Sequence, residues 1–225
     1  MVIILKKEIF NTDNKEFLDR YFDSLINRFT YSNMSSSKTT VILNDNMRAF
    51  KILLNKLQDE ESISKEIIKE VINTVNSSNP YISNEYRKIG NVIADTNIPI
   101  SSPDNIDNNL TVLLDYYNNQ WSKLDPYQRE ALFNFYFIRI HPYEDGNRRT
   151  SRLILNFNLL RQGLAPVIIT DDLSEIYYKC IKDADVDSLT ELFRNQAVKE
   201  NEVIDILYSD YCKERENYED MHKIK

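Results

Sequence analysis

Glycine is scarce in this 225-residue chain: it has three glycines and six prolines. So few residues suited to tight turns argue against a fold of many short strands and hairpins, and favour a mainly α chain. Cysteine is scarcer still. Cys180 and Cys212 stand in helix-like sequence without metal-ligand spacing, which fits free thiols in a reducing cytosol better than a disulfide framework or zinc site. No block of lysine and arginine stands out and the formal net charge is −7, so nothing points to a nucleic-acid partner. Val2 to Leu5 is a short apolar patch followed by two lysines, the wrong order for a signal peptide and far too short to span a membrane. The expectation is a cytoplasmic protein with no membrane partner, with delivery to another cell left open. The length suits one domain, 1–225, with an N-terminal helical region at about 14–80 and a helical C-terminal tail.

Apolar periodicity predicts helices over 16–31, 45–57 and 62–75. Asn-Ser-Ser-Asn-Pro then marks a turn at 76–81. The best strand candidate is 86–94, with a short second strand at 98–101 bounded by prolines, together a small β-hairpin. A helix is expected over 104–121. Asp125 and Pro126 form a good cap and first turn for another, running to His141. A further helix ends near Gly163, a suitable C-terminal cap. Two more helices are expected at 173–184 and from 187 to 211 or beyond, with a charged, frayed tail from Lys213.

The richest segment is His141-Pro142-Tyr143-Glu144-Asp145-Gly146-Asn147-Arg148-Arg149-Thr150-Ser151-Arg152. It lies between two apolar runs long enough to be buried helices, so it reads as a loop leading into a helix N-terminus. Such a terminus offers unpaired N–H groups and partial positive charge to an anion. Gly146 supplies freedom where the chain turns close to a ligand. Arg149 and Arg152, three apart, are expected on one helix face, where two guanidiniums suit a polyphosphate. Asp145 is a hard oxygen donor of the kind that holds Mg²⁺ on phosphate. His141 can accept a proton near neutral pH.

These residues resemble the signature of the Fic family, H-x-F-x-(D/E)-G-N-G-R-x-x-R. His141, Asp145, Gly146, Asn147, Arg149 and Arg152 fall on its fixed positions, Tyr143 replaces the Phe, and Arg148 stands where a second Gly is usual. The resemblance implies a helical bundle with a small β-hairpin flap ahead of the motif loop, along which a target protein segment binds. It also implies a protein adenylyltransferase, moving AMP from ATP to a Ser, Thr or Tyr hydroxyl with Mg²⁺. His141 is then the base, Asp145 the metal ligand, Asn147 the α-phosphate contact, and Arg149 and Arg152 the outer-phosphate contacts, with Gly146 completing the cradle. Arg148 adds bulk and charge near the β- or γ-phosphate. The death-on-curing branch carries Lys at that position and phosphorylates its target, although it has Ala where this chain has Gly146. Phosphate transfer, and a nucleotide-binding regulator with little turnover, therefore stand as alternatives.

Many relatives also carry an inhibitory (S/T)-x-x-x-E-(G/N) helix whose Glu pairs with the second motif Arg. Here Ser32 fits its start, but Ser36 and Ser37 replace the Glu and the Gly or Asn. Glu200 and Asn201 supply the last two elements, with Gln196 where Ser or Thr belongs. The chain has then lost this brake, receives it from a separate inhibitor protein, or carries a partial version on a C-terminal helix.

Overall fold

The helix signals become helices in a computed structural model that describes residues 14–32, 40–57, 62–90, 93 and 98–223. Among the described residues the α-helices are α1 (Lys15–Ser32), α2 (Thr40–Lys56), α3 (Lys65–Val75), α4 (Ile106–Asp115), α5 (Pro126–Ile140), α6 (Asn147–Arg161), α7 (Ser174–Asp183) and α8 (Val186–Lys223). The start of α5 follows the expected chemistry, whereas α2 begins five residues before the expected 45 and α3 is capped two residues after the expected 62. The Ser64 hydroxyl accepts from the Ile67 amide at 3.3 Å. The Asp125 carboxylate accepts from the Tyr127 and Gln128 amides at 3.1 and 3.2 Å, with Pro126 in the first turn. Gly163 closes α6 at φ +66, its amide on the Leu160 carbonyl at 2.9 Å.

α5 and α6 are buried over most of their surface, including Phe133, Phe137, Leu153, Ile154 and Phe157, which marks them as the central pair. α5 packs against α4, α6 and α8, while α6 packs also against α2 and α3. Two buried asparagines tie this core together. The Asn134 amide donates to the Ser151 carbonyl at 3.3 Å and accepts from the Tyr177 hydroxyl, joining α5, α6 and α7. Asn156 bonds both backbone groups of Val167, at 2.6 and 2.9 Å, and so lays the extended segment after α6 against that helix.

Three further expectations change. The helix expected over 104–121 begins as a 3₁₀ turn and ends in a π-helical turn at Tyr116–Gln120. The tail from Lys213 does not fray at once, since α8 continues to Lys223. The β-hairpin is not formed in the parts described: 86–90, 93 and 98–101 carry no strand, and its other residues lie outside the described ones. The physical reason is competition for backbone groups. The Arg87 amide donates to the Pro142 carbonyl at 2.9 Å and the Ser101 amide to the Arg139 carbonyl at 3.0 Å. At these positions both arms bond to the end of α5 and the loop after it, rather than to each other.

Candidate active site

The motif loop is held by unusual backbone at each end. His141 caps α5 in the left-handed region, φ 48 and ψ 61, with its amide on the Phe137 carbonyl at 3.0 Å. A non-glycine residue there is uncommon and persists only where its surroundings over-determine it. Gly146 caps α6 at φ 85. It also lies against α3: a Cβ would come within 2.8 Å of Ile72 Cδ1 and 3.0 Å of Asn76 Oδ1. The glycine is therefore required twice, by dihedral and by space.

Asn147 closes the loop from inside. Its Oδ1 accepts from the Tyr143 amide at 3.0 Å and its Nδ2 donates to the Tyr143 carbonyl at 2.7 Å. Its side chain is thus engaged by the loop backbone. Asp145 sits at the rim with its side chain 57% exposed; one oxygen accepts from the Gly146 amide at 2.6 Å and the other from Arg149 Nη2 at 3.1 Å. Among the described residues no group of three or more His, Cys, Asp and Glu could form a metal cage. One exposed carboxylate does suit Mg²⁺ carried in on phosphates, since that ion commonly takes one or two carboxylates and keeps its waters.

The arginines divide differently from the expectation. Arg149 turns to the end of α3, donating to the Val75 carbonyl at 3.1 Å and to Asn76 Oδ1 at 3.2 Å. Arg148 and Arg152, four apart, share the α7 side instead. The Arg148 guanidinium lies 4.4 Å from the Tyr178 ring centre and that of Arg152 5.1 Å from the Tyr177 ring centre. Arg148 is half-buried against an aromatic ring rather than solvated. Arg152 is 2% exposed; its Nη1 donates to the carbonyls of Ile169 and Ser32 at 3.3 and 3.4 Å, while its Nε and Nη2 have no partner among the described residues. Burial first, and then Arg148, lower its pKa to about 10, so it stays charged at neutral pH. A buried guanidinium is costly unless paired, and an anion is the partner that offsets that cost.

Burial and, next, the Arg87 charge lower the His141 pKa to about 4, with Arg148 acting the same way and Asp145 opposing. The imidazole is neutral at physiological pH, its Nδ1 buried on the side of the Ile138 backbone, which opposes the shift. Phosphate charge arriving beside it acts in the opposite direction.

Residues 58–159, which contain the whole loop, match the model of the Fic/DOC family. Over these residues the chain is similar to a Fic/DOC family domain. Its fold is shared with a Fic-domain signalling protein of Bacteroides thetaiotaomicron, at a TM-score of 0.74 and 20% identity over 84% of this chain and 89% of that one. It is shared too with IbpAFic2, solved in complex with adenylylated Cdc42, at a TM-score of 0.61 and 17% identity over 84% of this chain and 71% of that one. In sequence the chain is 29% identical over 143 residues to protein adenylyltransferase fic-1 of Caenorhabditis elegans, covering 63% of this chain and 28% of that protein. The chain spans less than a third of the length of the first curated relatives it matches.

The partial brake pattern on α8 has its Glu engaged elsewhere than on the motif arginines. Glu200 is spent on α1, accepting from the Tyr21 hydroxyl at 2.9 Å and from Arg28 at 2.6 and 2.7 Å. Residues 33–37, which bear on the N-terminal version, lie outside the described residues. Arg87, Asn76, Tyr177 and Tyr178 all touch the motif and were not legible as site residues. Their motif partners are 25 to 73 residues away in sequence, and the local signals at Asn76 (a turn) and Arg87 (a strand candidate) pointed to no site role.

Proposed function

We propose that the chain transfers AMP from ATP to a hydroxyl of a protein substrate. The observation that carries this reading is the meeting of a neutral His141 with an α6 N-terminus beside the buried guanidinium of Arg152. The likeness to curated adenylyltransferases supports it. In the reaction, the target oxygen attacks the α-phosphorus as its proton passes to His141. The bond from that phosphorus to the bridging oxygen breaks, and pyrophosphate leaves with the electron pair. Positioning and charge stabilisation supply most of such catalysis. Arg149, Arg152 and the α6 amides meet the outer phosphates, Gly146 lets them approach, and Asn147 keeps the loop in shape around the α-phosphate. Asp145 would hold Mg²⁺, which neutralises phosphate charge when bound. The target is taken as a protein segment lying by residues 86–101. A cytoplasmic setting fits the absence, among the described residues, of any helix long and apolar enough to cross a membrane.

Arg148 favours a second reading. Held over Tyr178, it adds a cation beside Arg152, and a nucleotide turned end for end would present its terminal phosphate for transfer instead. Incubation with α-labelled and γ-labelled ATP in a lysate decides between them. Label from the α position, lost in His141→Ala by ~10²–10⁴-fold with ATP binding retained, is the expected result. Label from the γ position alone supports the second reading. Neither label, with ATP bound, supports a nucleotide-binding regulator.

A further inference from the structure

Arg87 is 3% exposed, and among the described residues its guanidinium is held by carbonyl groups. Its Nε donates to the His141 carbonyl at 2.7 Å and its Nη1 to the Ile89 carbonyl at 3.0 Å. Its Nη2 reaches the Ile140 carbonyl at 3.3 Å and also the Ser101 carbonyl. Its own amide takes the Pro142 carbonyl at 2.9 Å. One residue therefore grips three consecutive carbonyls, 140, 141 and 142, around the left-handed turn at His141. The neighbouring Tyr86 ring packs on Tyr143 of the loop, with centres 5.6 Å apart.

We propose that Arg87 is the positioning residue of His141: it locks the strained turn that aims the imidazole, and couples that turn to the 87–101 segment. A positive-φ histidine needs outside restraint, and a planar fork of donors with carbonyl ligands is a restraint that lysine's single ammonium cannot reproduce. The charge of the same guanidinium, like that of Arg148, disfavours a protonated imidazole, and Asp145 opposes them. Arg149 and Arg152 are held by Val75, Asn76, Asp145, Ser32 and Ile169, none of them a ligand of Arg87, so their hold on a nucleotide does not pass through this grip.

The inference rests on the transferase reading, and its test separates the two. Arg87→Lys keeps the charge and is the variant expected to fold; Arg87→Met removes it. Arg87→Lys should keep the parent's helical content and ATP affinity while kcat for label transfer falls roughly 10–100-fold, the scale of a small misplacement at a reacting centre. Arg87→Met should fall further. Parent-like kcat in Arg87→Lys, or a loss confined to ATP affinity, overturns the proposal. The second readout needs no activity. The chain has two histidines, so the His141 ring is assigned in an NMR spectrum by comparison with His141→Ala. Its ring signals should move in Arg87→Lys, and in Arg87→Met its titration midpoint should rise. If the parent transfers no label, the transferase reading fails while this readout still decides on Arg87; unmoved His141 signals in both variants overturn the positioning role.

Discussion

At the scale of single residues, glycine separates two causes that sequence alone merges. Gly146 and Gly163 both have positive φ, +85 and +66, but only Gly146 has atoms within 4 Å of where a Cβ would stand. Gly163→Ala should cost about 1 kcal/mol, the penalty of a left-handed L-residue. Gly146→Ala should cost more, about 2–3 kcal/mol, because contact with α3 adds to the same penalty. Urea unfolding midpoints of the two variants check the order. Equal losses would show that Ile72 and Asn76 yield freely. The chemistry-bearing positions were readable because they are contiguous in sequence. Asn147 shows where that reading stops: its type and place were evident, but its amide closing on Tyr143 depends on the loop's bend.

Within elements, α5 carries a cost that periodicity did not reveal. Glu130 is fully buried, bonded to the Tyr117 hydroxyl and to Asn158 Nδ2 at 2.9 Å. Burial raises its pKa to about 7, opposed by those hydrogen bonds. The folded protein then holds this proton between roughly pH 4.5 and 7 while the unfolded chain has released it. The contribution to stability is complete below the unfolded pKa and is lost as pH rises through about 7. Glu130→Gln removes the titration. Thermal unfolding from pH 5 to 8 should show a shallower decline in the variant, and above pH 7 a stability higher by on the order of 2–3 kcal/mol. An unchanged slope would mean that Glu130 ionises freely in the fold. Long periodic helices such as α1, α3 and α6 were legible because one buried face repeats every turn. The hairpin was misread because 86–90 and 98–101 have strand-like composition, whereas their backbone partners lie on the α5 end, a contact no local pattern encodes.

Across the whole molecule, α1 and α8 are joined by a pair far apart in the chain. Glu200 is 4% exposed and Arg28 about a third exposed, with Tyr21 completing the contact. Glu200→Ala should destabilise by about 3 kcal/mol, since it strands a cation and a buried hydroxyl. Hydrogen exchange should quicken in α1, while label transfer below the melting range stays at the parent's rate. A rise in transfer would instead assign Glu200 an inhibitory role. The carbonyl cage around Arg87 has a consequence for the whole fold under changing salt. The same stretch is tied to its surroundings at the rim by exposed pairs, Lys69 with Glu85 at 2.8 Å and, beside it, Lys65 with Asp107 at 2.6 Å. Dissolved ions screen such rim charges over about 8–10 Å at ordinary ionic strength. The buried cation has dipoles for ligands and is shielded from that atmosphere. Brine can thus loosen the outer ties of the segment while the turn under His141 keeps its shape, as though the protein carried its own permanently bound counter-ion.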